Sequence, residues 1–125
     1  MNFNQQMTKS KQVYDLEERT FQFAKRVRLY TKKLPKNIAN IEDRKQVVRA
    51  SGSVGANYIE ANESLSKKDF LMRVKICRKE ATESAFFLRL IIETNSPEFE
   101  KEGLELQDEA IQLKKIFSSI IEKSK

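Results

Sequence analysis

Apolar residues recur every three or four positions along most of this chain, which is the spacing of one face of an α-helix. The pattern predicts four helices, over about residues 15–34, 41–62, 67–95 and 97–123. We find no segment with the period of two that marks a strand. Because the connections are short, the sequence predicts an all-α fold, an antiparallel up-down four-helix bundle.

The same spacing predicts which side chains face the core. The predicted inward positions are Leu16, Phe23, Val27, Tyr30 and Leu34; Val47 or Val48, Ser51, Val54 or Gly55 and Tyr58; and Phe70, Val74, Cys77, Ala81, Ser84, Leu88 and Ile91. The apolar residues of the fourth helix are Leu104, Ile111, Leu113, Phe117, Ile120 and Ile121. In the third helix the steps alternate between four and three, as in a coiled-coil seam.

Local signals set the helix ends. Asp15 and Ser66 are typical N-cap residues, and Ser96 followed by Pro97 is a common helix start. Pro35 ends the first helix. Residues 1–13 are polar and show no period, so we predict a flexible or frayed N-terminal arm before a bundle domain at 14–125.

Glycine inside the second helix predicts a close contact. Gly52 and Gly55 each cost about 1 kcal/mol relative to alanine in a helix interior, so a compensating reason is expected. Close approach of a neighbouring helix is one reason, and a kink at Gly52 is the alternative. Gly103 lies inside the predicted fourth helix and predicts an interruption there.

The third helix carries more apolar surface than one core needs. Six of the seven residues in 86–92 are apolar, and neighbours on a helix point about 100° apart. We therefore predict a homo-oligomer whose interface includes Phe86, Phe87 and Leu90. Coverage of this surface by the N-terminal arm is the alternative.

The positive charge is concentrated in the first half of the chain. Residues 1–62 carry 12 basic and 6 acidic groups, 63–125 carry 12 of each, and the net charge is +6. The end of the first helix holds six basic side chains with no acid between them: Lys25, Arg26, Arg28, Lys32, Lys33 and Lys36. This stripe predicts binding to an RNA or DNA backbone. A solvated helix face without nucleic-acid binding is the alternative.

The residue types argue against most catalytic chemistry. The chain has no histidine, and its one cysteine, Cys77, falls on the core seam of the third helix. Two E-x-x-E pairs, Glu60 with Glu63 and Glu80 with Glu83, resemble the magnesium site of all-α nucleotide pyrophosphohydrolases. That reading is a remote alternative, and we expect no enzyme activity, no metal and no cofactor. Without tryptophan, base stacking is not indicated.

The longest uninterrupted apolar run, Ala85 to Leu88, has four residues, far short of the roughly 20 that a membrane span needs. The N-terminal residues lack the basic start and apolar stretch of a signal peptide. One cysteine allows no intrachain disulfide. These features predict a cytoplasmic protein that does not enter a membrane.

Several motifs resemble one known family. They are Leu34-Pro35, Arg49-Ala50, Ser53-Val54-Gly55-Ala56-Asn57-Tyr58-Ile59-Glu60-Ala61, Ser66-Lys67-Lys68-Asp69-Phe70, Arg78-Lys79-Glu80-Ala81 and Phe87-Leu88-Arg89-Leu90-Ile91. In this order the chain is similar to the four-helix-bundle proteins associated with intervening sequences in bacterial 23S ribosomal RNA genes. The similarity covers about residues 16–122.

The resemblance implies a homopentameric ring of four-helix bundles. The same superfamily includes the accessory variability determinant of diversity-generating retroelements, a basic pentamer that works with a reverse transcriptase, so a protein partner is also an expectation. The chain departs from common family patterns at Gly55 and Ala61. We expect a non-enzymatic, nucleic-acid-binding oligomer, with a purely structural or adaptor oligomer as the alternative.

Overall fold

The computed structural model describes the backbone of residues 3–125 and the side chains of residues 15–125. Its four α-helices are α1 (Phe3–Lys32), α2 (Ile38–Asn62), α3 (Lys67–Thr94) and α4 (Glu100–Lys123). A single 3₁₀ turn, Pro97–Phe99, precedes α4. No strand occurs among the described residues, and the all-α prediction is confirmed.

The helix ends differ from the sequence prediction in three places. Helix α1 begins at Phe3, well before Asp15, so Asp15 lies inside the helix. The division of the chain into an arm at 1–13 and a bundle domain at 14–125 stays a prediction. Helix α2 begins earlier because Asn37 caps it, accepting a 2.8 Å hydrogen bond from the backbone N–H of Asn40. Pro97 starts the 3₁₀ turn, and α4 follows three residues later.

One predicted cap is present as expected. The Ser66 hydroxyl accepts a 3.1 Å hydrogen bond from the backbone N–H of Asp69, in the first turn of α3. This bond satisfies one of the four backbone donors that a helix start leaves without an intrahelical partner.

Each helix packs mainly on two neighbours, in the order α1–α2–α3–α4 and back to α1. The α1–α4 contact shows the direction of the chain, because ion pairs join Arg19 to Glu109 and Lys33 to Glu102. The residue number of the α4 partner decreases from 109 to 102 as the residue number in α1 increases from 19 to 33. This register is compatible with the predicted antiparallel up-down order.

The core fills the space between the helices. The inward positions predicted for α3 from Val74 to Ile91 are all buried, and so are most of those predicted for α1 and α2. In α4 two of the apolar residues lie largely outside the core: Leu104 is 47% exposed and Ile111 is 37% exposed. The buried face of α4 runs instead through Gly103, Leu106, Ala110, Leu113, Phe117 and Ile121.

Gly103 helps to explain which face of α4 is buried. A Cβ atom on Gly103 would lie 2.6 Å from Ile92 Cγ1 of α3 and 2.6 Å from the Tyr30 hydroxyl of α1. Helix α4 is continuous from Glu100 to Lys123, so the predicted interruption at Gly103 is wrong. The glycine lets α4 approach two helices at once, which a pattern of large apolar residues does not reveal.

Close packing also accounts for glycine in α2. A Cβ on Gly55 would lie 3.0 Å from the Thr20 hydroxyl oxygen, so α1 and α2 approach each other closely there. At Gly52 the nearest atom would be the terminal Nη2 of Arg28, at 3.1 Å. The close-approach prediction is confirmed at Gly55, while Gly52 faces only the end of a flexible side chain.

A pair of amides fixes one end of the bundle. Asn40 Nδ2 donates to Asn95 Oδ1 at 2.8 Å, and Asn95 Nδ2 donates back to Asn40 Oδ1 at 2.9 Å. Their second N–H groups reach the carbonyls of Pro35 and Ile91. A buried amide without partners costs about 1–3 kcal/mol, so these bonds tie the α1–α2 connection to the end of α3.

Candidate nucleic-acid interface

The basic stripe of α1 divides between two faces of the helix. Arg26 and Lys33 point toward α4, where they pair with Glu105 at 3.5 Å and with Glu102 at 2.9 Å. Arg19 extends the same row by one heptad: its guanidinium donates to both carboxylate oxygens of Glu109, at 2.8 and 2.7 Å, and to Gln112. Two of the six predicted site residues therefore serve the contact between α1 and α4.

The other four basic residues form the row that we call the α1 basic face: Lys25, Arg28, Lys32 and Lys36. All four are exposed, and none pairs with a carboxylate among residues 15–125. Arg28 donates to the carbonyl of Ala24 at 3.1 Å, within its own helix.

A shallow cleft of about 420 Å³ runs beside this face, at the contact between α1 and α2. Its lining combines Lys25, Arg28 and Lys32 with the apolar side chains of Phe21 and Leu29. Lys36 lies beyond it, after the end of α1. The arrangement presents three cations along about two turns of helix, a geometry that fits consecutive phosphates better than a compact ligand.

Three of the four glutamates of the enzyme alternative, Glu60, Glu80 and Glu83, are bound to arginine. Arg49 of α2 donates to Glu80 and to Glu83 on α3, and Arg73 pairs with Glu60 at 2.7 Å. Arg73 also donates to Asn57 at 3.1 Å. These contacts hold α2 and α3 together. Among residues 15–125 the His, Cys, Asp and Glu side chains form no cluster that fits a metal ion.

The two glutamates that share Arg49 have opposite protonation preferences. Burial raises the pKa of Glu80 above its usual value, and the neighbouring Glu83 carboxylate adds to that effect. The hydrogen bond from Arg49 lowers the pKa of Glu83, against a smaller opposing effect of burial. The positive charge of Arg49 favours the ionised form of both carboxylates, but for Glu80 the effect of burial and of Glu83 is larger.

Cys77 and Tyr30 are core groups. Burial raises the pKa of the Cys77 thiol to about 12, so the reactive thiolate is disfavoured. Burial, with the charge of Glu102, also raises the pKa of the Tyr30 phenol to about 12. The Tyr30 hydroxyl donates to the Phe99 carbonyl at 2.9 Å, which fixes the turn before α4.

The three predicted interface residues have different surroundings. Phe87 packs against the hydrophobic core, so much of its surface is already covered within the chain. Phe86 is 57% exposed and Leu90 is 37% exposed. The rings of Phe86 and Phe87 meet edge to face, with centroids 5.2 Å apart.

A family comparison identifies this bundle. The sequence pattern of the 23S rRNA-intervening sequence protein family matches residues 12–119. The chain belongs to this family. No curated protein sequence matches it significantly. Among solved structures it is similar to a protein of unknown function from the S23 ribosomal protein family of Bacteroides thetaiotaomicron VPI-5482, determined at 1.70 Å.

The two chains share 28% sequence identity and superpose with a TM-score of 0.70. The match covers 84% of this chain and 96% of the other. This similarity extends over most of the 23S rRNA-intervening sequence fold. It supports the recognition made from the central motifs between Ser53 and Phe70.

This family member also carries a basic cluster that the sequence pattern missed. Lys75, Arg78 and Lys79 of α3 meet Lys114 of α4 around a cleft of about 520 Å³. Residues 63–125 are electrically balanced overall, and this balance concealed the cluster. The available signal was local: between residues 70 and 79 there are four basic residues and no acid.

No described helix of this family member has the length and apolar character needed to cross a membrane.

Proposed function

We propose that this protein is a non-enzymatic oligomer that binds the backbone of RNA or DNA through the α1 basic face. The observation that carries the proposal is the division of the α1 cations. Arg26 and Lys33 are matched by carboxylates of α4, whereas Lys25, Arg28 and Lys32 stay exposed in one row beside the α1–α2 cleft. Cations without a carboxylate partner are available to replace the counterions of a phosphate backbone.

The oligomer part of the proposal rests on exposed apolar side chains. Ile38 and Ile41 lie one turn apart at the start of α2, and both are exposed. Leu90 lies near the end of α3, which the Asn40–Asn95 pair holds at the same end of the bundle. We assign the contact between copies to this end. The family resemblance suggests a pentamer, and a protein partner is a further expectation from it.

Charge reversal of the α1 basic face tests the nucleic-acid part. Filter binding measures retention of duplex RNA and of duplex DNA of equal length over a salt titration. The variant Lys25→Glu, Arg28→Glu, Lys32→Glu, Lys36→Glu should lose retention. Wild-type binding should fall steeply with salt, since four phosphate contacts contribute a slope of about 3 to 4 in log affinity against log salt.

A matched control separates the site from net charge. The variant Arg44→Glu, Lys67→Glu, Lys101→Glu, Lys123→Glu changes the charge equally at exposed residues that pair with no carboxylate among residues 15–125. It should keep most of the binding. Equal loss in both variants would contradict the site, and absence of wild-type binding at low salt would favour the structural or adaptor oligomer.

Sedimentation tests the oligomer. A mass of five times 14.6 kDa is expected at micromolar concentration, and the variant Ile41→Glu, Leu90→Glu should sediment as a smaller species. Charged groups in an apolar contact lose hydration without gaining a partner, which disfavours association. A wild-type protein that sediments only as a monomer contradicts this part and leaves the binding test unaffected.

A further inference from the structure

The cleft between α3 and α4 combines positive charge with an exposed aromatic ring. Its lining residues are Lys75, Arg78, Lys79, Thr82, Glu83 and Phe86 of α3 and Lys114 of α4. Four cations therefore face one carboxylate. The volume of about 520 Å³ lies within the usual range for small-ligand sites, so a nucleotide unit fits in size.

The charge of this cleft is not neutralised by the protein. None of the four cations makes an ion pair with a carboxylate among residues 15–125. The single lining carboxylate, Glu83, is hydrogen-bonded to Arg49 from α2. The one carboxylate that lines the cleft is therefore already bound to Arg49. The positive charge of the cleft remains available to bind an anionic ligand.

The aromatic ring is held in place without being covered. Phe86 is 57% exposed, and the edge-to-face contact with Phe87 fixes one side of its ring. Phe87 itself packs against the core. An exposed, supported ring next to cations is the combination that binds single strands, in which phosphates lie on basic side chains and bases stack on aromatic rings.

We propose that the α3–α4 cleft binds single-stranded nucleic acid, with phosphates contacting Lys75, Arg78, Lys79 and Lys114 and one base stacked on Phe86. This proposal departs from the expectation, based on composition, that base stacking is not indicated. Duplex bases are paired and stacked, and they do not reach Phe86. The cleft therefore discriminates single strands from duplexes, which the α1 basic face does not.

This site is separate from the α1 basic face. In the ring of helix contacts, the α1–α2 edge and the α3–α4 edge lie on opposite sides of the bundle. One chain therefore presents a backbone-binding face on one side and a single-strand site on the other. The proposal requires no contact from Lys25, Arg28 or Lys32, so it stands or falls independently of the α1 assignment.

The test compares ligands with and without bases. Fluorescence anisotropy measures binding of a labelled dT10, an rU10 and an abasic deoxyribose-phosphate decamer to the full chain. Wild type should bind dT10 at least about fivefold more tightly than the abasic decamer, the smallest effect of one stacked base. Phe86→Leu should remove this difference, and Phe86→Tyr should keep it. The rU10 arm reports whether RNA binds as DNA does.

A second set of variants tests the phosphate contacts. Lys75→Ala, Lys79→Ala, Lys114→Ala together should lower the salt slope for dT10 by about 2, since each contact to a single strand contributes about 0.7. The control Lys67→Ala, Lys101→Ala, Lys123→Ala should leave the slope unchanged. Both sets are repeated with the α1 charge reversal, where dT10 binding should persist while duplex binding is lost.

Three outcomes overturn the proposal. Equal affinity of wild type for dT10 and the abasic decamer removes the base contact. Equal binding of a polyglutamate of the same charge shows an unspecific anion site. A lower sedimentation mass of Phe86→Leu, together with unchanged dT10 binding, assigns the ring to a contact between copies, as the sequence first indicated.

Discussion

Helix α4 packs on α1 along one edge and on α3 along another. Basic residues are paired with carboxylates along the first edge and not along the second. On the α1 side, Arg19, Arg26 and Lys33 each meet a glutamate of α4. On the α3 side, Lys75 and Lys79 meet Lys114, and no ion pair joins the two helices. A cation is available for a ligand when the neighbouring helix offers no carboxylate.

This difference has a cause in the sequence of α4. Its glutamates 102, 105 and 109 bind basic residues of α1, whereas Lys114 lines the α3–α4 cleft. The acids of α4 that reach a neighbouring helix therefore reach α1, and Lys114 adds a further cation to the side of α3. The contrast teaches that the density of basic residues along a helix is a poor guide to which of them bind an anion.

Substitution of Gly103 should have the largest effect on stability, because this glycine lets α4 lie close to both α1 and α3. Gly103→Leu places side-chain atoms where Ile92 and Tyr30 already lie, and overpacking of this kind costs about 1–3 kcal/mol. Urea unfolding should show this loss of unfolding free energy. Gly52→Ala is the control: only the end of Arg28 must move, so it should be neutral or stabilise by up to about 1 kcal/mol.

A Gly103→Leu protein as stable as wild type would show that α4 can shift without cost, and the contrast between its two edges would lose its structural basis. A strong loss for Gly52→Ala would instead show that Arg28 is held in place, and the α1 basic face would be more rigid than its surface position implies.

Truncation of the paired and unpaired cations should have a smaller effect. Arg19→Ala removes a two-pronged contact with Glu109 and should cost about 1 kcal/mol, because this pair is partly buried. Lys75→Ala should change the unfolding free energy by less than about 0.5 kcal/mol, since it removes an exposed side chain without an ion-pair partner among residues 15–125.

Urea unfolding at low and high salt measures both variants. The cost of Arg19→Ala should shrink at high salt, where the attraction is screened. Equal costs for the two variants, or a larger cost for Lys75→Ala, would contradict the division of α4 into an ion-paired edge and an open edge.

The pH dependence of Glu83 should be the smallest effect. Its pKa is lowered in the folded state by the Arg49 hydrogen bond, so near pH 4.5 and below the unfolded state binds more protons. The stability contributed by Glu83 is therefore present above about pH 4.5 and is lost as the pH falls through its folded pKa. For such an exposed group we expect about 0.5 kcal/mol.

Comparison with Glu83→Gln measures this contribution together with its coupling to Glu80, because the Glu83 carboxylate also helps to raise the pKa of Glu80. Chemical unfolding at pH 7 and at pH 3 should show a difference between wild type and variant only at pH 7. A difference that persists at pH 3 would mean that Glu83 acts through packing, not through charge at the rim of the α3–α4 cleft.

Much of the fold was predictable from the sequence, and particular residues show why. The seam from Val74 to Ile91 keeps a regular step, and each position is buried. Ser66 caps α3 as its sequence context indicates, because this bond involves only residues three apart. In α4 the large residues Leu104 and Ile111 are partly exposed, whereas Gly103 and Ala110 are buried. At Gly103, α1 and α3 leave no room for a Cβ atom.

The candidate sites were less predictable. The α1 stripe was found in full, but the sequence did not separate Arg26 and Lys33 from the rest, because their partners lie 79 and 69 residues away. The α3–α4 cleft was missed for a related reason. Lys114 joins Lys75 only through packing of α4 on α3, and Arg49 binds Glu83 from a third helix.

By itself, the sequence determined that the chain forms helices, where α3 begins, which face of α3 is buried and to which family the chain belongs. These properties depend on residues within a few positions of one another, whose contacts are fixed once a helix forms. Only the tertiary structure decided which cations stay without a carboxylate and which aromatic ring stays uncovered. Those outcomes depend on pairing between helices, where a carboxylate distant in the sequence either reaches a given lysine or does not.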